Sequence, residues 1–250
     1  MSTQTEINSI INTIKLYDPH VNSKQITKAY EFSKKAHDKQ IRASGVPFLE
    51  HPIQVAKLLT EIKLDGPSIV TGLLHDTVED TKVEISQIEK IFGKEITYLV
   101  EGLTKINKIS LKKNNLKFGE NYRKLLLATS QDLRVILIKL ADRLHNMRTI
   151  DFINDSDKIL RIAHETQEIY APLALRLGMR EWQEELEDLA FKKINPEARS
   201  SVLDRLEYLN KKDENIIDDI SYELKKIFLA ENIRCEINGR LKTPLSIWNK

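Results

Sequence analysis

Apolar residues recur at spacings of three and four almost from end to end of this 250-residue chain, and that period belongs to the α-helix. The alternating, valine-rich runs of β-strands are nearly absent, and glycine is scarce, with eight in the whole sequence. The expected fold class is therefore all-α. At this length the chain makes one large or two modest domains, with enough material for a real core.

Punctuation divides the helical text. Ile7, Ile10, Ile11 and Ile14 mark a weak amphipathic segment over residues 5–16, and Ile26, Ala29, Tyr30 and Ser33 mark a second over 23–39, capped by Ser23. Residues 42–48, with Gly45 and Pro47, break the period and predict a loop. His51 stands just before a helix opened by Pro52 and carrying Val55, Ala56, Leu59 and Ile62 inward. Asp65 to Ser68 end that helix and start the next. Ser86 and Glu89 have capping-box spacing, with Gly93 closing the helix they open. Residues 107–119 are polar and basic and predict a loop, either a plain connection or a regulatory lid. Two helices or one bent helix follow to about Ile150, with Asp132 as a cap. A helix over 157–177 is expected to kink at Pro172, and further helices cover 182–193 and, in two segments, 197–231. At 233–237 the period drops to two, predicting a strand.

Composition excludes several functions. A net charge of +2 gives no electrostatic case for nucleic acid or membrane partners. No stretch approaches the ~18 apolar residues of a membrane span, and no secretory leader opens the sequence. Cys235 is the one cysteine, so no disulfide can form within the chain. A cytoplasmic location is expected.

The chemistry concentrates in residues 73–80, Leu-Leu-His-Asp-Thr-Val-Glu-Asp. On a continuous helix His75 would stack with Glu79, and Asp76 with Asp80. Leu73, Leu74, Thr77 and Val78 would bury the remaining surface. Acids and an imidazole on such a helix are costly unless something positive meets them, and a divalent cation is the simplest candidate. A second helix, 135–149, carries Lys139, Asp142, Asn146 and Thr149 along one strip. Alone, that strip is better explained by surface ion pairs than by the wall of a polar pocket.

With His51, His75 and Asp76, Asp142 completes a mixed nitrogen and oxygen donor set that suits Mn, Fe or Zn better than Ca or Mg. Such an ion would acidify water and polarise a phosphoryl oxygen. Glu79 and Asp80 could then orient the water or move its proton, or simply be solvated at the helix end. His20, His37, His145 and His164 are assigned to structural roles in the core, His145 also to a place behind the ligands.

These residues match a known family. His51, His75-Asp76 and Asp142 form the metal-binding pattern of HD-domain phosphohydrolases. The surrounding blocks RASGVPFLEHPIQVAKLL, LLHDTVEDT, VEGLTKI, VILIKLADRLHNMRT and IYAPLALRLGM resemble, in order, the hydrolase half of RelA/SpoT homologues. Those enzymes make or destroy the alarmones ppGpp and pppGpp. The resemblance runs from about residue 25 to the C-terminus. It implies an HD-type helical bundle over 1–195 holding one Mn²⁺ on His51, His75, Asp76 and Asp142. It further implies hydrolysis of the 3′-pyrophosphate of a guanine nucleotide alarmone to GDP or GTP plus pyrophosphate. Glu79 and Asp80 match the acidic pair of hydrolysis-competent members. Arg42 and Ser44 match the loop that contacts the base, and Asn146 and Thr149 match positions lining the nucleoside pocket. Ala43 departs from the lysine that many members carry there.

Residues 196–232 are then a helical linker, and 233–250 the beginning of a synthetase-like α/β segment. Within it, 238–247 resembles a G-R-x-K-x-x-Y-S-I pattern, with Leu245 in place of the tyrosine. The sequence ends before the acidic residues of synthesis, so no synthetase activity is expected, and a separately encoded synthetase portion is a conceivable partner. The rival readings are an HD phosphohydrolase of another nucleotide and a catalytically silent alarmone-binding fragment.

Overall fold

The computed structural model describes residues 3–108, 132–212, 216–239 and 242–250. Helix α4 (Gly66–Leu74) sits at the centre, because its sequence offers no polar face. Asp65 caps it by accepting from the Ser68 amide, Pro67 falls in its first turn, and Ile69, Val70, Leu73 and Leu74 are all buried. Burying a side chain of that size contributes about 1.5–3 kcal/mol, so this short helix is held by packing rather than by propensity.

Around it stand α2 (Ser23–Ala36), α3 (Glu50–Glu61), α7 (Lys94–Lys108) and α8 (Leu133–Arg148), each of which packs against α4. Helix α1 (Thr3–Tyr17) covers α3 with its buried isoleucines, and Tyr17 donates to the Leu64 carbonyl. The close approach of α3 and α4 depends on Gly72. A Cβ there would stand 2.7 Å from Leu59 Cδ1, so the buried Leu59 side chain would have to shift. At the outer ends, Arg134 ties three helices. Its guanidinium bonds Asp132, which caps α8, Asp65, which caps α4, and Glu95 in the first turn of α7.

The short α5 (Thr77–Asp80) and α6 (Ile85–Phe92) follow α4. After α8 come a 3₁₀ turn (Ile150–Phe152), α9 (Ser156–Glu165), a π-helical turn (Thr166–Tyr170) and α10 (Ala171–Arg176). Helix α11 (Arg180–Ile194) packs on α8, α9 and α10. Helix α12 (Pro196–Lys212), α13 (Ile216–Ala230) and α14 (Pro244–Trp248) complete the described elements, with α14 seated on α11 and α12. No described helix is long and apolar enough to cross a membrane.

Several local expectations change. The cap of α2 is Asn22, whose side chain accepts from Gln25, rather than Ser23. The capping box of α6 is Glu84 with Gln87, two residues before the pair expected from spacing. His51 lies inside the first turn of α3, not before it. The bend near Pro172 takes the form of a π-helical turn immediately before it, where the ring removes a backbone donor. His20 and His164 are exposed rather than core residues.

The predicted strand at 233–237 is irregular chain, since no described residue pairs with it and an unpaired strand has no ladder to stabilise it. Residues 107 and 108, expected in the loop, belong to α7; residues 109–119 lie outside the described residues, as does the beginning of the 120–150 region.

Candidate metal centre and its pocket

Helix α4 does not continue through residues 73–80 as the sequence suggested. It stops at Leu74, and α5 restarts at Thr77. Two side chains make the break by competing for backbone carbonyls. His75 Nδ1 bonds the Gly72 carbonyl at 2.8 Å, and the Thr77 hydroxyl donates to the Leu74 carbonyl at 2.6 Å. Asp76 sits between with φ −93° and ψ −8°. The Asp80 amide still reaches the Asp76 carbonyl at 2.8 Å, so one turn joins the two pairs, but the single stacked column is gone. The break aims His75 and Asp76 inward and leaves Glu79 and Asp80 at the surface.

Three elements meet at this corner. His51 comes from the first turn of α3, His75 and Asp76 from the end of α4, and Asp142 from the middle of α8. Donor atoms of His51, His75 and Asp142 lie within 4.8 Å of one another, and all three residues are buried. His51 Nε2 is 3.2 Å from both His75 Nε2 and Asp142 Oδ1. Asp76 Oδ2 is 3.1 Å from His75 Nε2 and 3.4 Å from His51 Nε2. Donors held at about 2.0–2.2 Å from a metal at right angles to each other stand about 3 Å apart. This donor set therefore fits one divalent cation.

The charges point the same way. Burial disfavours a charged ring at His75, yet Asp76 and Asp142 outweigh it and push its pKa up to about 10. Burial equally opposes ionisation of the two acids, but His75 and His51 hold Asp76 far below the carboxylate range, and Lys139 with the same histidines does so for Asp142. The corner demands positive charge.

Asp142 is oriented from its own helix. Lys139 Nζ donates to Oδ2 at 2.6 Å, and Asn146 Nδ2 donates to Oδ1 at 2.6 Å. The polar strip expected on this helix is thus a hydrogen-bonded wall rather than a row of surface ion pairs. Its far end receives the 42–48 loop, because Arg42 donates to Asn146 Oδ1 at 2.9 Å. That loop closes on itself through Arg42–Val46 and Phe48–Gln40 backbone bonds, and Gly45 takes the φ of +83° its turn requires. Gln40 also donates to the Asp80 carbonyl, so the loop touches α5 as well.

Beside the cluster opens a cavity of about 520 Å³, of the size that takes a nucleotide. Arg42, Ser44, Asp142, Asn146 and Thr149 line it. The Thr149 hydroxyl bonds the His145 carbonyl of the preceding turn. Ala43 lines the same cavity on the exposed part of the loop. Glu79 and Asp80 do not line it. They stand at the surface on α5, with burial and the Asp76 charge raising the Asp80 carboxyl above its ordinary range.

Sequence reasoning missed a second wall. Arg143, Lys158, Arg161 and Glu165 also line the cavity, together with Phe152 from the 3₁₀ turn. Lys158, Arg161 and Glu165 recur at three-and-four spacing on α9, a signal present in the sequence but outranked by the apolar stripe beside it. Arg143 lies 4.2 Å over the Tyr170 ring and 3.3 Å from Glu165, which fixes α9 and the π-helical turn against α8.

A helical corner that joins His, His-Asp and Asp from three helices is the arrangement of the HD domain, and the chain belongs to that family: its model, described as HD domain, matches residues 29–180. Within the family this is an HD domain of the RelA/SpoT homologues. The GTP pyrophosphokinase rsh of Brucella ovis is 47% identical over 241 residues, which cover 96% of this chain and 32% of that relative. The bifunctional (p)ppGpp synthase/hydrolase SpoT of Escherichia coli K12 is 39% identical over 242 residues, covering 97% of this chain and 34% of its own. The chain thus spans about a third of the length of these curated relatives. A solved structure of a metazoan ortholog of SpoT that hydrolyses ppGpp aligns with 68% of this chain and 96% of its own, at a TM-score of 0.54 and 24% identity, which shows a shared fold.

Proposed function

We propose that this chain hydrolyses the 3′-pyrophosphate of (p)ppGpp, releasing GDP or GTP and pyrophosphate, with one Mn²⁺ held by His51, His75, Asp76 and Asp142. The observation that carries this reading is the adjacency of a buried donor cluster, His51, His75 and Asp142 with the half-buried Asp76 beside them, to a cavity walled by Arg42, Lys139, Arg143, Lys158 and Arg161. A phosphate-rich ligand is the natural occupant of such a basic cavity beside a cation. Relatives named for (p)ppGpp synthesis and hydrolysis support the choice of nucleotide.

When bound, the cation supplies Lewis acidity and an acidified water. The protein's own groups do the rest. Arg42 and Ser44 hold the base end, with the Arg42–Asn146 bond keeping the loop in place before substrate arrives. Asn146 and Thr149 offer an amide and a hydroxyl to the nucleoside. Lys158 and Arg161, exposed at the rim, meet phosphate charge. Glu79 and Asp80, on the turn that follows the ligands His75 and Asp76, are assigned proton movement. In this reading residues 1–195 are the hydrolase unit, and α12 with α13 forms the helical segment that follows it.

Purified protein incubated with ppGpp and Mn²⁺ is expected to release pyrophosphate, and a chelator is expected to abolish that release. Ala43 bears on the choice of substrate, because a methyl group stacks poorly on a purine. Faster turnover of another nucleotide would move the assignment to that substrate. Binding of ppGpp without turnover would make the chain an alarmone-binding fragment.

A further inference from the structure

We infer that His145 is a positioning residue for the metal centre: it accepts the Nδ1–H of His51 and so turns the His51 Nε2 lone pair toward the cation. The inference rests on the metal reading above and adds a residue to it.

The geometry leaves one self-consistent proton arrangement. His51 Nδ1 and His145 Nδ1 are 2.7 Å apart, a separation at which one nitrogen donates and the other accepts. His51 Nε2 faces the donor atoms of His75, Asp76 and Asp142. A proton on that nitrogen would leave no lone pair for a cation, so in the loaded site the His51 proton sits on Nδ1. His145 then accepts at Nδ1 and carries its own proton on Nε2. The two ligand imidazoles are therefore oriented by different means. His75 gives its Nδ1–H to the Gly72 carbonyl, a backbone group of its own helix, whereas His51 relies on a side chain 94 positions along the chain.

His145 lies on α8 three residues after Asp142 and one before Asn146, with 8% of its surface exposed. Its ring is tilted 41° to that of His51, with centroids 4.8 Å apart. A histidine kept only to fill space has no need of this short nitrogen–nitrogen contact. Helix α8 thus supplies Asp142 to the cluster directly and steadies His51 through His145. A ligand histidine held by such an acceptor loses about 10- to 100-fold in metal affinity when the acceptor is removed.

The test is a Mn²⁺ titration read by the electron paramagnetic resonance of the free ion, with no nucleotide present, on wild type, His145→Phe and His145→Asn. Phenylalanine keeps the ring but cannot accept, whereas the asparagine oxygen stands where Nδ1 stood. The expected result is 10- to 100-fold weaker binding for His145→Phe and binding within about threefold of wild type for His145→Asn. Phe binding as tightly as wild type, or Asn binding as weakly as Phe, overturns the inference while leaving the metal reading intact. A wild type that binds no divalent ion overturns both. Because either variant could misfold, long-range ¹H–¹⁵N spectra of wild type loaded with diamagnetic Zn²⁺ read the tautomers directly. A protonated Nε2 on His145 with a protonated Nδ1 on His51 is expected, and the reverse pair overturns the inference.

Discussion

Helices α4 and α13 are both rich in large apolar residues, yet they end in opposite situations. On α4 nearly every residue is buried, and the helix packs on α2, α3, α7 and α8. On α13, Tyr222 is 68% exposed and Leu229 70% exposed, with Ile220 and Ile227 also largely in solvent. The difference shows where this molecule places its rigidity. The candidate metal cluster is built at the end of this enclosed helix, so His75 and Asp76 are positioned by a packed core and a close glycine contact. Helix α13 owes little of its geometry to the core.

Mutations should widen or erase that contrast in a graded way. The largest effect is expected at the cluster itself: Asp142→Ala should lower pyrophosphate release on the order of 10³-fold, with Mn²⁺ binding lost in the same titration. Equal turnover in this variant would remove the site from the chemistry. Next comes Glu79→Gln, for which retained Mn²⁺ binding with lost turnover is expected, measured on one preparation by metal titration and a pyrophosphate-release assay.

Gly72→Val probes the packing behind the site. Its side chain would enter the space of Leu59, costing about 1–3 kcal/mol in a denaturant melt and weakening metal binding through the displaced His75 partner. Unchanged stability would mean that α3 and α4 can separate without penalty. A smaller effect is expected from the three-helix tie at Arg134. Its hydrogen bonds to Asp132 hold that carboxyl below its usual range. A depressed folded-state pKa stabilises above the unfolded value of about 4 and loses that stabilisation as pH falls through the folded value. The contribution of these half-exposed groups is at most about 1 kcal/mol, so Arg134→Gln should slightly flatten the acid limb of a stability–pH curve. Smallest of all, Leu229→Ser on α13 should leave the melt within about 0.5 kcal/mol. A loss as large as that of Gly72→Val would erase the contrast between the two helices.

Much of this was legible beforehand, for a physical reason. Helical period and apolar stripe are properties of neighbouring residues, so the positions of α1, α2, α8, α12 and α13 followed from spacing alone. The polar strip Lys139-Asp142-Asn146 was also visible, because residues three and four apart share a face whatever lies opposite. Its two readings could be separated only by knowing what that face met. Asp142 proved to be bonded on both sides along its own helix and to stand against His51.

Local order misled where side chains compete with the backbone. The 73–80 stretch has helical spacing throughout, but the His75 ring and the Thr77 hydroxyl take carbonyls of the preceding turn, and the helix breaks there. The period-two run at 233–237 has the alternation of a strand and lacks a described partner to pair with. Strands need neighbours, and local sequence does not supply them.

By itself, then, the amino-acid sequence determined that the chain is helical, and it offered His51, His75, Asp76 and Asp142 as candidate ligands and Lys139, Asp142 and Asn146 as one polar strip. The tertiary structure alone decided that His51, His75, Asp76 and Asp142 meet at one corner, that Arg143, Lys158 and Arg161 form the opposite wall, and that His145 reaches His51. Those relations span tens of residues and are set by how α3, α4, α8 and α9 pack. A spacing rule reaches only one or two turns; contact across the core depends on which surfaces fit together.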